Sequence, residues 1–214
     1  MINIIYYVIR IHYDLKINSI PFCYLPICFY LLATALKISS VPFRTPVKFN
    51  TFHLSAVNMA VKVGDSLPSA ELHEDTPQTK INIAEEVKGK KVVIFGVPGA
   101  FTPGCSATHL PGYLEKAAEL KKKGISEIFC VAVNDAFVMK AWGDHNKAEG
   151  KVRFLADPNL EFAKKLGVEH EIPVLGGWRS KRYSMVVDDG KITQLNIEPD
   201  GTGLSCSLAE GLKI

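Results

Sequence analysis

The sequence predicts an α/β domain with a central mixed sheet flanked by helices. Two observations carry this prediction. Short apolar, β-branched runs alternate with segments of helical periodicity, as in βαβ units. Two further apolar runs then meet at an Asp-Gly turn, which is typical of an antiparallel hairpin. The first half predicts a largely parallel sheet covered on both faces, and the hairpin makes the sheet mixed.

The first strand and helix follow each other closely. Lys91 to Val97 is apolar and β-branched after a Lys-Gly-Lys turn, which predicts a buried strand. Thr102 and Pro103 have the character of an N-cap and a first-turn proline. Apolar residues then recur at helical spacing as far as Gly124. This part of the chain is therefore a predicted strand, loop and helix.

The later elements continue the alternation and end in a hairpin. The predicted order is strand, helix, strand, helix and two antiparallel strands, over residues 127–133, 135–145, 152–156, 159–166, 182–187 and 191–197. A βαβ half followed by a ββα end is the thioredoxin-like order. The sequence contains no internal repeat and no low-complexity tract.

Charge divides the 214 residues into two parts. Residues 1–58 contain five Lys or Arg and one acid, whereas residues 59–214 contain 20 basic and 21 acidic side chains. The net charge of +3 therefore belongs to the N-terminal part. A nearly neutral body gives no reason to expect nucleic-acid binding, which needs a concentrated basic face. We predict a leader over 1–58 and a folded domain over 59–214.

The leader admits three interpretations. Residues 17–36 are 20 consecutive uncharged residues, long enough for a membrane anchor, although Pro21 and Pro26 weaken a helix there. The scarcity of acids favours a mitochondrial presequence instead, and initiation at Met59 would omit the leader. We therefore expect a mitochondrial or cytoplasmic protein, with membrane contact only if the leader is retained. The C-terminal Leu-Lys-Ile fits a peroxisomal signal poorly.

Cys105 is the candidate reactive residue. It falls at the start of the predicted helix, where backbone N–H groups and the helix dipole favour a thiolate. Thr102 lies three residues earlier, so its hydroxyl can bond an oxygen of a peroxide in the same pocket. Gly104 lets a substrate approach the backbone, and Pro98 can shield the sulfur from water. These residues together predict chemistry at the sulfur rather than packing.

The stretch PGAFTPGCSATHLPGY resembles the peroxiredoxin active-site motif Pro-x-x-x-Thr-x-x-Cys. The resemblance continues through VNDAFVMKAWG, KRYSMVVDDG and NIEPDGTGLSCSL, and is greatest to the atypical 2-Cys subgroup, peroxiredoxin-5. It implies a thiol peroxidase without metal or cofactor that reduces hydrogen peroxide, alkyl hydroperoxides or peroxynitrite in antioxidant defence. The implied site residues are peroxidatic Cys105, peroxide ligands Thr102 and Gly104, shielding Pro98, and an active-site arginine, Arg182.

The same resemblance makes Cys206 the resolving cysteine and thioredoxin the reductant. Cys206 lies in a glycine-rich segment, 101 positions after Cys105. Its condensation with a Cys105 sulfenic acid would give an intramolecular disulfide. Two alternatives remain open: a 1-Cys peroxidase recycled by glutathione or glutaredoxin, and a non-catalytic redox relay or binding protein. A homodimer also remains open.

The other cysteines and His109 receive structural interpretations. Cys130 lies inside a predicted strand and is expected in the core, while Cys23 and Cys28 belong to the leader. His109 is four residues after Cys105, but no third group is evident to orient it as a base, so we expect it to hydrogen-bond structurally. The spacing also excludes a Cys-x5-Arg phosphatase loop and a CxxC exchanger, and no zinc pattern is present.

Overall fold

A seven-stranded mixed sheet forms the centre of the protein in the computed structural model, which describes residues 60–214. The predicted leader and Met59 lie outside the described residues. The spatial strand order is β2-β1-β5-β4-β3-β8-β9. These strands are β1 (Glu71–Glu74), β2 (Lys80–Asn82), β3 (Lys91–Val97), β4 (Glu127–Ala132), β5 (Arg153–Ala156), β8 (Tyr183–Asp188) and β9 (Lys191–Ile197).

Helices and a separate hairpin complete the architecture. The α-helices are α1 (Ile83–Glu86), α2 (Leu110–Lys122), α3 (Ala136–His145) and α4 (Glu161–Leu166). A π-helix, Cys105–His109, runs directly into α2. Strands β6 (Glu169–Ile172) and β7 (Gly177–Ser180) form a two-stranded sheet of their own, joined through the 3-10 helix Pro173–Leu175. A second 3-10 helix spans Ala209–Gly211.

The mixed sheet flanked by helices is confirmed, but the sheet is less parallel than expected. Only β3 with β4 and β4 with β5 pair in parallel. The other four neighbouring pairs are antiparallel: β1 with β2, β1 with β5, β3 with β8, and β8 with β9. The prediction of a largely parallel sheet was wrong because β1 and β2, which the sequence pattern did not indicate, extend the edge beyond β5 with antiparallel strands.

The two faces of the sheet carry separate cores. Alternate residues of β3 point to opposite faces, so Val93, Phe95 and Val97 join one cluster, which includes residues of α2 and α3. Val92 and Ile94 join the other, which includes residues of α1 and α4. The helices therefore cover both faces, as predicted. Among residues 60–214, no helix is long and apolar enough to span a bilayer.

Candidate active site

Cys105 lies at the first turn of the helical segment that follows β3. The strand ends at Val97, and Pro98 and Gly99, both buried, begin the loop that leads to the cysteine. The amide of Ser106 donates to the carbonyl of Thr102 at 2.9 Å, which starts the helical backbone there. The amide of Leu110 then donates to the carbonyl of Cys105, the wider spacing of a π-turn. The cysteine itself is completely buried.

Thr102 lies at the predicted helix start, but its side chain does not cap the helix. Its hydroxyl donates to the carbonyl of Gly99 at 2.9 Å instead of accepting from a helix amide. The side-chain capping prediction was therefore wrong, because Gly104, which has no side chain, is the residue that precedes the helical segment. With its proton committed to Gly99, the half-buried oxygen retains lone pairs for another donor, such as a hydroperoxide O–H.

Arg182 reaches Cys105 from the beginning of β8. Gly96 of β3 pairs with Tyr183 of β8, so Arg182 lies opposite Val97, the last residue of β3 before the cysteine loop. Arg182 is only 3% exposed, and its Nη1 donates to Cys105 Sγ at 3.3 Å. A buried guanidinium at this distance stabilises a thiolate, because the two charges attract at low dielectric.

Gly104 makes room for this arginine. A Cβ at Gly104 would lie 3.3 Å from Arg182 Nη2 and 3.6 Å from a methyl group of Leu204. A side chain here would therefore crowd the guanidinium. Gly104 itself is partly buried, and the substrate approach expected at its backbone stays a prediction.

His109 hydrogen-bonds on both sides of its ring. Nε2 lies 3.0 Å from the carbonyl of Ser207, and Nδ1 lies 3.3 Å from Arg182 Nη1. A carbonyl can only accept and a guanidinium can only donate, so Nε2 carries the proton and Nδ1 accepts. Burial lowers the pKa of His109 to about 4, and the charge of Arg182 contributes in the same direction. These contacts agree with the structural role expected of His109.

Two residues that the sequence analysis did not single out make hydrogen bonds near the loop before Cys105. Asn134 Oδ1 accepts from the amide of Ala100 at 3.0 Å, and Arg179 Nη1 donates to the carbonyl of Val133 at 2.8 Å. Their only signal in the sequence was the position of Asn134 directly after a predicted strand. Asn134 thus ties the cysteine loop to the segment after β4, and Arg179 of β7 binds that same segment.

Cys206 lies in the segment after β9, named here the Cys206 loop (residues 199–208). It is partly buried, and its thiol donates to the carbonyl of Ile197 at 3.5 Å. The neighbouring amides and hydroxyls bind the carboxylate of Glu198, a buried acid that the sequence analysis missed. Cys105, Cys130 and Cys206 are all free thiols, so the structure represents the reduced state.

Cys130 packs in the core, as predicted. It lies in β4, is fully buried, and belongs to the apolar cluster on the Cys105 side of the sheet. Burial raises the pKa of its thiol well above the ordinary value, which disfavours reaction as a thiolate. Within residues 60–214, no cluster of His, Cys, Asp and Glu side chains could hold a metal ion.

Comparison with known proteins identifies the family of this fold. The Redoxin family matches residues 62–211. Peroxiredoxin-2E-2, chloroplastic, from Oryza sativa subsp. japonica is 42% identical over 195 residues, covering 84% of this chain and 87% of the relative. Peroxiredoxin-2E, chloroplastic, from Arabidopsis thaliana is 42% identical over 170 residues, covering 76% and 73%.

Solved structures lead to the same assignment. Reduced Prx3 from Vibrio vulnificus in complex with H2O2 superposes with a TM-score of 0.67 at 46% identity, covering 71% of this chain and 96% of that one. Peroxiredoxin 5 from Alvinella pompejana gives 0.62 at 43% identity, covering 66% and 92%. The fold and the cysteine site define a thiol-dependent peroxidase. The chain belongs to the peroxiredoxin family.

The expected location must be corrected. We predicted a mitochondrial or cytoplasmic protein from the composition of residues 1–58. Both plant relatives described above are chloroplastic, which points to a plastid and contradicts that expectation. The reason lies in the signal itself: scarcity of acids and scattered Arg and Ser are shared by mitochondrial and chloroplast presequences, so composition does not separate the two.

Proposed function

We propose that Cys105 is the peroxidatic cysteine of this peroxidase and that Cys206 resolves it. The observation that carries the proposal is the 3.3 Å contact between Arg182 Nη1 and the buried Cys105 sulfur at the start of a helical segment. This arrangement favours a thiolate and places a positive charge where negative charge develops during the reaction.

In the first step the Cys105 thiolate attacks the terminal oxygen of a hydroperoxide. The O–O bond breaks, the sulfur becomes a sulfenic acid, and the alkoxide leaves and takes a proton from water. Thr102 and the backbone at Gly104 and Cys105 hold the peroxide oxygens, while Arg182 stabilises the negative charge that moves along the O–O axis. Pro98 limits the access of water to the sulfur.

In the second step Cys206 condenses with the sulfenic acid. A sulfur–sulfur bond forms, the S–O bond of Cys105 breaks, and water leaves. An external dithiol then reduces the disulfide by thiol exchange. We propose thioredoxin as this reductant, with hydrogen peroxide, alkyl hydroperoxides and peroxynitrite as substrates. Similarity to peroxiredoxin 5 from Alvinella pompejana supports the atypical 2-Cys subgroup. Homodimer formation is part of the proposal, and sedimentation of the reduced protein tests it.

We also propose that residues 1–58 target the protein to a plastid. The support is the chloroplastic relatives together with the acid-poor composition of this segment. Fusion of residues 1–58 to a fluorescent protein, expressed in plant cells, tests the proposal. Fluorescence within plastids is the expected result, and fluorescence confined to another compartment contradicts it.

The chemical proposal is tested by mass spectrometry after one equivalent of tert-butyl hydroperoxide is added to reduced protein. The wild type should lose two hydrogens and yield a peptide crosslinked between Cys105 and Cys206. Cys206→Ser should instead accumulate sulfenic or over-oxidised Cys105. Oxidation of Cys105 without a bridge in the wild type would indicate the 1-Cys cycle with an external thiol, and an unreacted Cys105 would refute the proposal.

A further inference from the structure

Glu198 makes an unusually concentrated set of hydrogen bonds. Its Oε1 accepts from the amides of Ser205, Cys206 and Ser207 at 2.8, 2.9 and 2.9 Å. The hydroxyls of the two serines add bonds of 2.6 Å to Oε2 and 2.7 Å to Oε1. All five donors come from three consecutive residues centred on Cys206. The side chain is only 1% exposed, so the carboxylate depends on these donors in place of water.

The bonds keep Glu198 ionised. Burial alone would raise the pKa of this carboxyl, but the hydrogen bonds from Ser205 and Ser207 outweigh it and lower the pKa to about 2. Hydrogen bonds to an ionised acceptor are about twice as strong as neutral ones. The segment around Cys206 is therefore held by a permanent charge throughout the neutral pH range.

A cysteine held in this way is poorly disposed to react. Burial raises the pKa of the Cys206 thiol, and the nearby Glu198 carboxylate contributes in the same direction. The thiol is also directed to the carbonyl of Ile197. Cys206 therefore remains a protonated thiol as long as it stays beside Glu198.

The neighbouring residue is also held from the other side. The carbonyl of Ser207 accepts from His109 Nε2 at 3.0 Å and from the Tyr113 hydroxyl at 2.8 Å. His109 and Tyr113 belong to the helical segment that begins with Cys105. The Cys206 loop is thus attached both to the end of β9 and to the helix that carries the peroxidatic sulfur.

The two sulfurs have different partners in the reduced protein. A disulfide needs sulfurs about 2.05 Å apart, whereas Cys105 Sγ is enclosed beside Arg182 and Cys206 Sγ contacts Ile197. The Cys206 amide is fixed to Glu198 at the same time. Cys105 lies in a buried helical turn and Cys206 in a loop without regular structure, so release of the loop is one change that would free the Cys206 sulfur.

We infer that Glu198 is a positioning residue that latches the Cys206 loop in the reduced enzyme, and that release of this latch sets the rate of the resolving step. The inference rests on the proposed function, in which Cys206 resolves Cys105. After release, the Cys206 sulfur attacks the Cys105 sulfur, the S–O bond breaks, and the thiol proton leaves with the hydroxyl as water. The peroxide consumed in the first step is the only oxidant required.

The latch also determines how long the sulfenic acid survives. A second peroxide can oxidise it to sulfinic acid before Cys206 arrives. A tighter latch therefore increases over-oxidation, and a weaker latch protects Cys105. Glu198 would thus affect the competition between disulfide formation and over-oxidation without contacting the peroxide.

The test compares the wild type with Glu198→Gln in a single turnover. Gln keeps the shape and one acceptor oxygen but removes the charge. Reduced full-length protein is mixed rapidly with tert-butyl hydroperoxide, quenched in acid at intervals and analysed by mass. The sulfenic acid should form at the wild-type rate, while the disulfide should form about tenfold faster, because the bonds lose their charge assistance. With excess peroxide, the sulfinic fraction should fall.

Controls separate this inference from simple loss of structure. Glu210→Gln makes the same charge change at an exposed residue that pairs with Lys116, and should leave both rates unchanged. Ser207→Ala removes one hydroxyl donor to Glu198 and should accelerate the disulfide by a smaller factor, which preserves the test if Glu198→Gln does not fold.

The outcomes separate the inference from the function on which it rests. If the wild type forms no disulfide between Cys105 and Cys206, both the resolving role of Cys206 and the latch are refuted. If the wild type forms the bridge, but the Glu198 and Ser207 variants form it at the same rate or more slowly, only the latch is overturned.

Discussion

The guanidinium of Arg182 donates to the sulfur of Cys105 at 3.3 Å, although the two residues are 77 positions apart. The register of β3 and β8 favours this proximity, since the pairing of Gly96 with Tyr183 places Arg182 opposite Val97, the last residue before the cysteine loop. The same Nη1 also donates to His109, and Nε donates to the carbonyl of Thr202. Arg182 is therefore fixed in place before a peroxide arrives.

Arg182→Gln should reduce kcat/KM for hydrogen peroxide by about a hundred- to a thousandfold, the usual cost of removing a preorganised donor from a reaction centre. The measurement is the rate of Cys105 oxidation in stopped flow. Lys181→Gln, one residue earlier, should keep the wild-type rate. A fall of less than threefold in Arg182→Gln would show that the guanidinium does not act on the reaction.

Thr102→Val should slow oxidation of Cys105 by roughly ten- to a hundredfold, because an isosteric methyl group cannot accept a hydrogen bond from the peroxide. Thr102→Ser retains the hydroxyl and its donation to Gly99, and should stay within a few fold of the wild type. The comparison uses kcat/KM for one hydroperoxide. Equal losses in both variants would contradict the role of the hydroxyl, because Ser keeps that hydroxyl and Val does not.

Stability should fall in mild acid because His109 is buried as a neutral ring. Its folded pKa of about 4 is below the ordinary 6.5, so the unfolded chain binds the proton first. The contribution of neutral His109 to the free energy of unfolding is complete above pH 6.5 and decreases as the pH falls toward 4. Over this range the wild type should lose about 3 kcal/mol of unfolding free energy through this residue.

Urea unfolding at pH 7 and pH 4 checks the expectation for His109. His109→Gln offers a donor and an acceptor but does not titrate, so its loss of stability in acid should be smaller by about the same 3 kcal/mol. Parallel pH profiles for the two proteins would contradict a buried neutral histidine.

Gly96→Ala should destabilise the fold by about 3 kcal/mol, because a well-packed core does not accept an added methyl group without displacement. A Cβ there would lie 2.0 Å from Cε1 of Tyr183, which is buried. Gly112→Ala in α2 meets nothing within 4 Å and should instead stabilise the helix by about 0.5–1 kcal/mol. Thermal unfolding distinguishes the two, and equal shifts in one direction would contradict the packing described here.

The sequence predicted the elements whose residue patterns are strong. Strand β3 and strand β9 have the predicted bounds, and the ends of β4 and β8 differ from prediction by one residue. Each of these strands is an apolar run or borders the Asp-Gly turn. The local sequence pattern therefore indicates the same strand that burial in the core stabilises. Strands β1, β2, β6 and β7 are only three or four residues long, and each contains at least one charged side chain. Pairing with neighbouring strands defines them, because segments this short show no clear periodicity.

The site was only partly predictable. Cys105, Thr102 and Gly104 are close in sequence and could be grouped from their spacing, whereas Arg182 was assigned through family resemblance. The π-turn at Cys105 has no periodic signature, because five residues are too few to define one. Glu198 escaped notice because a glutamate before a Pro-Asp-Gly turn is ordinarily solvent-exposed. The pair of serines around Cys206 was its only available signal.

The register that joins β3 to β8 has a consequence for the newly synthesised chain. A ribosome that has just added Cys105 must add another 77 residues before the guanidinium of Arg182 exists. Until then the cysteine lacks its charged neighbour, even if β3 and the following helix have begun to form. If Arg182 activates Cys105 as proposed, the nascent chain gains its peroxide reactivity only late in translation.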